Sequence, residues 1–395
     1  MHTTLKRETD LDSIINSEIG GPHISIFLPV HPDTRSETIN EDVIRFKNNL
    51  GNAKDKIIDS ESYSDDLTKR INELEALSTD TTFWENQSLG LAIFVNKSDI
   101  HIIHLSFEVS EGSYIEEEFI VFPLLAMQAL DYNLYVLNIN TKQPTLYECT
   151  RDTVTEINDA DLPDSLSDAL QLDELNKAQQ FHTGDGRGRA MFHGHGGNTG
   201  AKGEEVEKYL RLLANKVDLY LKKINAGSRN ADAPLLLLGT SDRAPIVKDA
   251  LEYDKIIHDE QNESLKDPIK EEILLKRCKN VIDNLIESQQ KQLFNEIDEK
   301  LANELAVIGE EAIATACDMN NVERLLVPML TKTNDSVRNG IKNEYKFMLP
   351  DAAKQWDQCA RKVLACGADV LPLDREKSSD PQDLIGLCRF KLDLK

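Results

Sequence analysis

Apolar residues recur at spacings of three and four over one long stretch. Val206, Tyr209, Leu210, Leu213, Val217, Tyr220, Leu221 and Ile224 form a continuous stripe that predicts an amphipathic helix over 204–224. Glu204 and Glu205 at its start and Lys222 and Lys223 at its end suit the positive and negative ends of a helix dipole. Elsewhere the pattern shortens to runs of β-branched and aromatic residues bounded by turn residues. In the first part of the chain these runs predict strands over 23–30, 89–95, 100–107 and 114–122, with polar, helix-patterned stretches over 37–58 and 64–77. That order reads as a small α/β domain with an antiparallel sheet.

Three closely spaced strands follow, over 132–139, 144–150 and 153–157, and links this short favour an antiparallel meander. Beyond the long helix come a buried-type strand over 235–238, a helix over 243–251 and a short strand near Ile256. The pattern then changes to two long helices over 269–286 and 289–317, a strand over 324–328 and a polar insertion over 332–343. A helix over 351–366 and strands over 369–373 and 384–392 end the chain. The reading is an α/β (α+β) chain of three domains: 1–128, whose role the residues do not state, 129–266 and 267–395.

Composition narrows the function classes. No apolar run approaches the ~20 residues that span a bilayer; the longest, 119–127, contains Pro123. The first twenty residues lack the apolar core of a signal peptide, so a cytoplasmic location and no membrane partner are expected. Six cysteines are scattered without a Cys-x-x-Cys pair or a histidine at zinc-ligand spacing, so they are expected to be reduced structural thiols. A formal net charge of -24 opposes indiscriminate coating of nucleic acid, since phosphate contacts need Lys and Arg. A local RNA contact survives that argument, because salt screens charges over roughly 8 Å.

One window departs from the rest. Residues 181–203 hold eight of the nineteen glycines, together with His182, His193, His195, Arg187, Arg189, Lys202 and a single acid, Asp185. It is a mildly basic, glycine-rich loop delivered to the start of the long helix. Four readings of it compete. It is an insertion that merely lacks structure, or a phosphate loop, although Lys202 lies between Ala201 and Gly203 where a Walker pattern needs Gly-Lys-Ser/Thr. It is a metal site at His193 and His195, although a catalytic zinc wants three protein ligands. Or it is a loop whose backbone closely approaches a polyanion or a reacting ester: Gly196 and Gly197 carry no Cβ, and the amide of Asn198 can then stabilise a developing oxyanion. No metal and no nucleotide cofactor is expected on this last reading.

The run His193, Gly194, His195, Gly196, Gly197, Asn198, followed by a helix with Tyr209, Leu210 and Arg211, resembles the central domain of archaeo-eukaryotic class I peptide chain release factors. That family carries a Gly-Gly-Gln tripeptide in a loop ahead of a long helix. The meander over 132–157, the strand 235–238 with Gly239, the run 312–327 and the closing 384–390 follow the same family order, so the resemblance covers roughly 130–395 and is greatest to the bacterial branch. It implies a ribonuclease-H-like central domain and a third domain like the kink-turn-binding ribosomal proteins. It also implies the ribosome and peptidyl-tRNA as partners. Carried over by position, Gly196 and Gly197 match the two glycines and Asn198 stands in the place of the glutamine, one methylene shorter. These three are the candidate catalytic residues, and His193, His195, Arg187, Arg189 and Lys202 are the candidate RNA contacts. The family's decoding signatures, Asn-Ile-Lys-Ser and Tyr-x-Cys-x-x-x-Phe, do not occur in residues 1–130; Tyr147 and Cys149 have the first spacing, but Thr153 occupies the phenylalanine place. The resemblance therefore implies ester hydrolysis or ribosome rescue without stop-codon reading, or else a non-catalytic ribosome- or RNA-binding factor of the same fold.

Overall fold

A computed structural model describes residues 11–17, 21–32, 35–59, 64–130, 132–151, 153–163, 165–166, 200–225, 233–257, 270–333, 343–374 and 384–392. In chain order the first elements are α1 (Leu11–Ile15), β1 (His23–Pro29), α2 (Ser36–Asp59), α3 (Asp65–Glu75), α4 (Thr81–Glu85), β2 (Gly90–Val95), β3 (Ile100–Leu105), β4 (Glu108–Val109), β5 (Gly112–Glu116) and α5 (Phe122–Gln128). Then come β6 (Leu134–Asn138), β7 (Thr145–Cys149), β8 (Val154–Ile157), α6 (Gly200–Asn225), β9 (Leu235–Leu238), α7 (Ala244–Ala250) and β10 (Ile256–Ile257). The last are α8 (Glu271–Ala302), β11 (Ala306–Ile308), α9 (Glu310–Asp318), β12 (Val322–Thr333), β13 (Asn343–Phe347), α10 (Ala353–Ala365), β14 (Asp369–Asp374) and β15 (Ile385–Cys388). The architecture is mixed α/β.

These elements fall into two compact units, 1–131 with 283–395, and 132–282. The sequence expects 1–128 and 267–395 to be separate domains, yet both contribute to the first unit. Three relationships with large sequence separation account for this. β4 pairs parallel with β13, Lys346 opposite Glu108 and Phe347 opposite Val109. Phe107 packs edge-on against Tyr345 and Phe347. The Asp357 carboxylate on α10 accepts the backbone N–H groups of Val121, at 2.5 Å, and Phe122, at 2.8 Å, where α5 begins. None of these leaves a local pattern in the sequence.

Within this unit β3-β2-β1-β5 form an antiparallel sheet whose inner face, with α2 and α3, buries Ile24, Ile26, Leu28, Phe46, Ile71 and Trp84. A second sheet runs β11-β15-β12-β13-β4, with β14 also on β12. Leu293 and Ile297 of α8 cover its residues Leu326, Leu373, Ile385 and Leu387.

Two expectations change here. The two helices expected over 269–286 and 289–317 are one helix of 32 residues followed by a strand and a short helix. No glycine or proline lies between Glu271 and Ala302, so nothing interrupts the intrahelical bonds. The real break comes at Glu304 (φ 58°), and Gly309 (φ +88°) then turns the chain from β11 into α9. The strand expected over 114–122 stops at Glu116, and α5 starts six residues later with Pro123 in its first turn, where the missing N–H costs nothing.

The second unit carries one mixed sheet, β10-β9-β6-β7-β8. β6, β7 and β8 are the expected antiparallel meander, while β9 and β10 run parallel to β6 and β9 respectively. The stripe of α6 packs on one face of this sheet. Tyr209, Leu210, Leu213, Ala214, Val217 and Leu221 are buried against Tyr135, Leu137, Leu146, Leu235 and Leu237. Each buried aliphatic side chain there stabilises the unit by about 1.5–3 kcal/mol, which is why the helix survives with charge along its outer face.

Candidate functional site

The expected site residues Arg187, Arg189, His193, His195, Gly196, Gly197 and Asn198 lie outside the described residues. Lys202 lies in the first turn of α6, and its side chain is outside the described set. The scaffold on either side of these residues is built from β6, β7, β8 and α6. α6 begins at Gly200, four residues earlier than the stripe predicts, so Glu204 and Glu205 sit in its second turn and the first turn carries no acid.

Two hydrogen bonds fix both flanks of the loop to one turn. On the entering side, the Leu166 N–H donates to the Thr141 carbonyl at 2.9 Å. On the leaving side, the Tyr209 hydroxyl donates to the Asn140 carbonyl at 3.3 Å. The turn itself, between β6 and β7, is shaped by the Asn140 side chain, whose Oδ1 accepts the Lys142 N–H at 2.9 Å. Leu166 also packs against the core that buries Tyr209. From Tyr209 back to Gly200 the helix runs nine residues, or roughly 13 Å at 1.5 Å per residue. Among the residues of that length whose burial is described, Val206 packs on the core, while Gly203, Glu204, Glu207 and Lys208 are exposed. The loop is thus joined to a stiff rod that stands clear of the sheet.

Lower on α6 the rod is fastened by charge. Asp218, buried, accepts the N–H groups of Glu252 at 2.8 Å and Tyr253 at 3.1 Å. Lys216 pairs with Asp161 and Lys222 with Glu252, while Arg211 pairs with Glu207 one turn away at 2.9 Å. These exposed pairs are screened by solvent and contribute little; the buried Asp218 carboxylate with its two N–H donors is the stronger contact.

Two phenols and a thiol described in this unit are held in their neutral forms. Burial, then hydrogen bonding and charge from Asp159, pushes the Tyr220 phenol up to about 12. Burial, with Glu148 next, does the same for Tyr135. The Cys149 thiol is pushed up by its hydrogen bond with Cys278 and by burial. Groups held in their neutral forms are poor bases and poor nucleophiles. Among the described residues no cluster of His, Cys, Asp and Glu is arranged to hold a metal ion. Composition singles out residues 181–203 but does not point to Asn140, Thr141 and Leu166 as contacts of the flanking segments. In these contacts Asn140 and Thr141 act through main-chain carbonyls and Leu166 through its N–H, while the Asn140 side chain shapes the turn.

The sheet, the rod and the loop between them occupy one continuous segment. Residues 134–294 match the model of bacterial archaeo-eukaryotic release factor family 7. The family 7 match begins at β6, encloses the whole glycine-rich stretch and α6, and ends within α8. It is shorter than the 130–395 over which the sequence resembles release factors. No curated protein matches the chain. Among solved structures, the chain is similar to the archaeal translation termination factor aRF1, at 14% identity over 96% of each chain with a TM-score of 0.23. It is also similar to ribosome-bound archaeal Pelota, at 14% identity over 76% of this chain and 78% of that one with a TM-score of 0.39. Dom34 of S. cerevisiae, described as a translation termination-like factor, aligns at 12% identity over 77% and 74% with a TM-score of 0.33. No helix of the described residues is long and apolar enough to cross a membrane.

Proposed function

We propose that the protein is a release-factor-like translation factor that docks on the ribosome and presents residues 193–198 to the ester bond of peptidyl-tRNA, without reading stop codons. The observation that carries this reading is the family 7 match, because its span encloses the loop and the helix behind it. In this reading the three sequence modules 1–128, 129–266 and 267–395 keep distinct roles, the central one presenting the loop in the cytoplasm. Gly196 and Gly197 let the backbone approach the ester closely. The N–H and side-chain amide of Asn198 face the carbonyl and the attacking water. Water adds to the ester carbon, the bond to the tRNA ribose oxygen breaks, and that oxygen takes up the proton. Donation to the oxyanion contributes about 3–4 kcal/mol to the barrier reduction. His193, His195, Arg187, Arg189 and Lys202 contact RNA phosphate, and no metal or nucleotide cofactor takes part.

Two observations favour a second reading, a ribosome- or RNA-binding factor with no hydrolytic activity. Asn198 is one methylene shorter than glutamine, and a misplacement of about 1 Å costs on the order of 100-fold in rate. The net charge of -24 also favours docking through a local contact over extensive engagement of RNA. Ribosome co-sedimentation with a loop-deleted control, followed by peptide release from ribosomes carrying peptidyl-tRNA, separates the two. Sedimentation that depends on the loop, with release faster than that of Gly197→Ala, supports hydrolysis. Sedimentation with release equal to Gly197→Ala supports the binding factor, and failure to sediment at low and moderate salt overturns both.

A further inference from the structure

In the first unit α10 lies alongside α9 and runs the same way. At one end Trp356 Nε1 donates to Glu310 Oε1 at 2.9 Å, and the Cys359 thiol donates to the Glu310 carbonyl at 3.7 Å. At the other end Lys362 pairs with Asp318 at 2.9 Å, and the Cys366 thiol donates to the Cys317 carbonyl at 3.6 Å. These contacts bring three of the six cysteines to one seam between two helices. Cys317 and Cys359 are buried there, whereas Cys366 is half-buried.

The seam singles out one pair of thiols. Cys366 Sγ already touches the main chain of Cys317, so the two residues are neighbours across it. Cys359 stands two helical turns before Cys366, roughly 10 Å away along the axis, which is beyond the reach of a disulfide between them. Both members of the pair sit where their helices end. Asn320 (φ 53°) turns the chain just past α9, and Gly367 (φ +68°) does so directly after Cys366. Helix ends fray, so the small backbone shifts that close a disulfide are easiest there. Exposure also sets an order. Burial, then the charges of Cys366 and Cys359, raises the Cys317 thiol to about 12, which makes it a poor first target for an oxidant. Cys366 is the member that solvent reaches, and an accessible cysteine beside a second thiol suits reversible oxidation.

We propose that Cys366 is a site of oxidation by hydrogen peroxide and that Cys317 resolves it, closing a disulfide between the ends of α9 and α10. The Cys366 sulfur attacks one peroxide oxygen, the O–O bond breaks, and a sulfenic acid and one water result. The Cys317 sulfur then attacks the sulfenic sulfur. The S–S bond forms, the S–O bond breaks, and the hydroxyl departs with the Cys317 proton as a second water. Two thiols together lose two electrons, and one peroxide takes them up. The product places a covalent link beside the exposed Lys362–Asp318 ion pair, so oxidation fastens the two helix ends to each other.

Hydrogen peroxide added to the reduced full chain, followed by quenching and thiol counting in denaturant, tests this. The expected result is a loss of two thiols that dithiothreitol restores, with no cross-linked dimer on a non-reducing denaturing gel. Peptide mapping without reductant is expected to find the Cys317 and Cys366 fragments joined. Cys366→Ser is expected to abolish the loss, and Cys359→Ser to leave it at two. Cys317→Ser is expected to halt the reaction at a sulfenic acid on Cys366, which dimedone traps. Because Cys317 is buried and its replacement can disturb packing, the map of the unaltered chain and the half-buried Cys366→Ser keep the test independent of folding. A thiol count that peroxide leaves unchanged overturns the proposal. So does a loss that persists in Cys366→Ser, or a map that joins other cysteines instead.

Discussion

The Tyr209 hydroxyl donates to the Asn140 carbonyl at 3.3 Å, and this bond ties the helix leaving the glycine-rich loop to the turn that also holds the chain entering it. Tyr209 is buried in the core under α6, so its hydroxyl is satisfied within the protein rather than by bulk water. Tyr209→Phe is expected to destabilise the protein by about 0.5–1.5 kcal/mol, read as a lower urea midpoint at unchanged slope. If the midpoint does not move, the bond is not an anchor of the loop base.

The Asp357 carboxylate is a second junction. Its Oδ2 accepts Arg361 Nε at 2.7 Å, and Arg361 donates onward to the carbonyls of Ile15 at 3.0 Å and Phe119 at 2.6 Å. Both side chains are largely buried, so removing one strands the charge of the other. Asp357→Ala is expected to cost about 3–5 kcal/mol. Asp357→Ala combined with Arg361→Met should cost less than the sum of the single changes, and a double-mutant cycle in urea unfolding checks this. Strict additivity would mean the two side chains act separately.

Alkaline pH gives a third measurement. Burial, followed by Asp351, raises the Tyr114 phenol to about 12, and Tyr135 and Tyr220 are raised to the same value. Unfolded tyrosines ionise near 10, so from about pH 10 upward the unfolded chain sheds protons that the folded one keeps. Stability is therefore full below pH ~10 and falls as pH rises toward 12. Absorbance titration near the phenolate band should show a late-ionising class of tyrosines, and Tyr135→Phe should reduce it. Ionisation of all tyrosines together near pH 10 in the folded protein would refute the assignment.

Thiol labelling gives a fourth. Cys149, Cys278, Cys317, Cys359 and Cys388 are buried and Cys366 is half-buried. Under native conditions a thiol reagent should modify Cys366 first, and Cys366→Ser should abolish the fast phase. A fast phase that persists in Cys366→Ser would place the accessible thiol elsewhere.

How much of this was legible beforehand differs by element. The stripe from Val206 to Ile224 and the run Leu235–Leu238 announce their elements because burial on one face, or on both, writes directly into residue order. Glu287 to Gln290 misled because polar residues on an exposed helical surface look like a linker, although nothing there breaks a helix. Ala306–Ile308 was too short to show strand periodicity, and Gly309 at φ +88° was the available sign that a helix could not pass through. The pairing of Glu108 with Lys346 joins residues with no local relation, so it leaves no mark in composition or periodicity. For the candidate site, composition marks residues 181–203, whereas the base joins two main-chain carbonyls to the Leu166 N–H and the Tyr209 hydroxyl, contacts that no local pattern states.

That last feature bears on which changes the protein can absorb. Fasteners made of main-chain atoms are indifferent to spelling: substitutions at Thr141 or Leu166 leave the carbonyl and the N–H in place. Asn198→Gln leaves Asn140, Thr141, Leu166 and Tyr209 as they are, so that exchange sets one letter against an unaltered base.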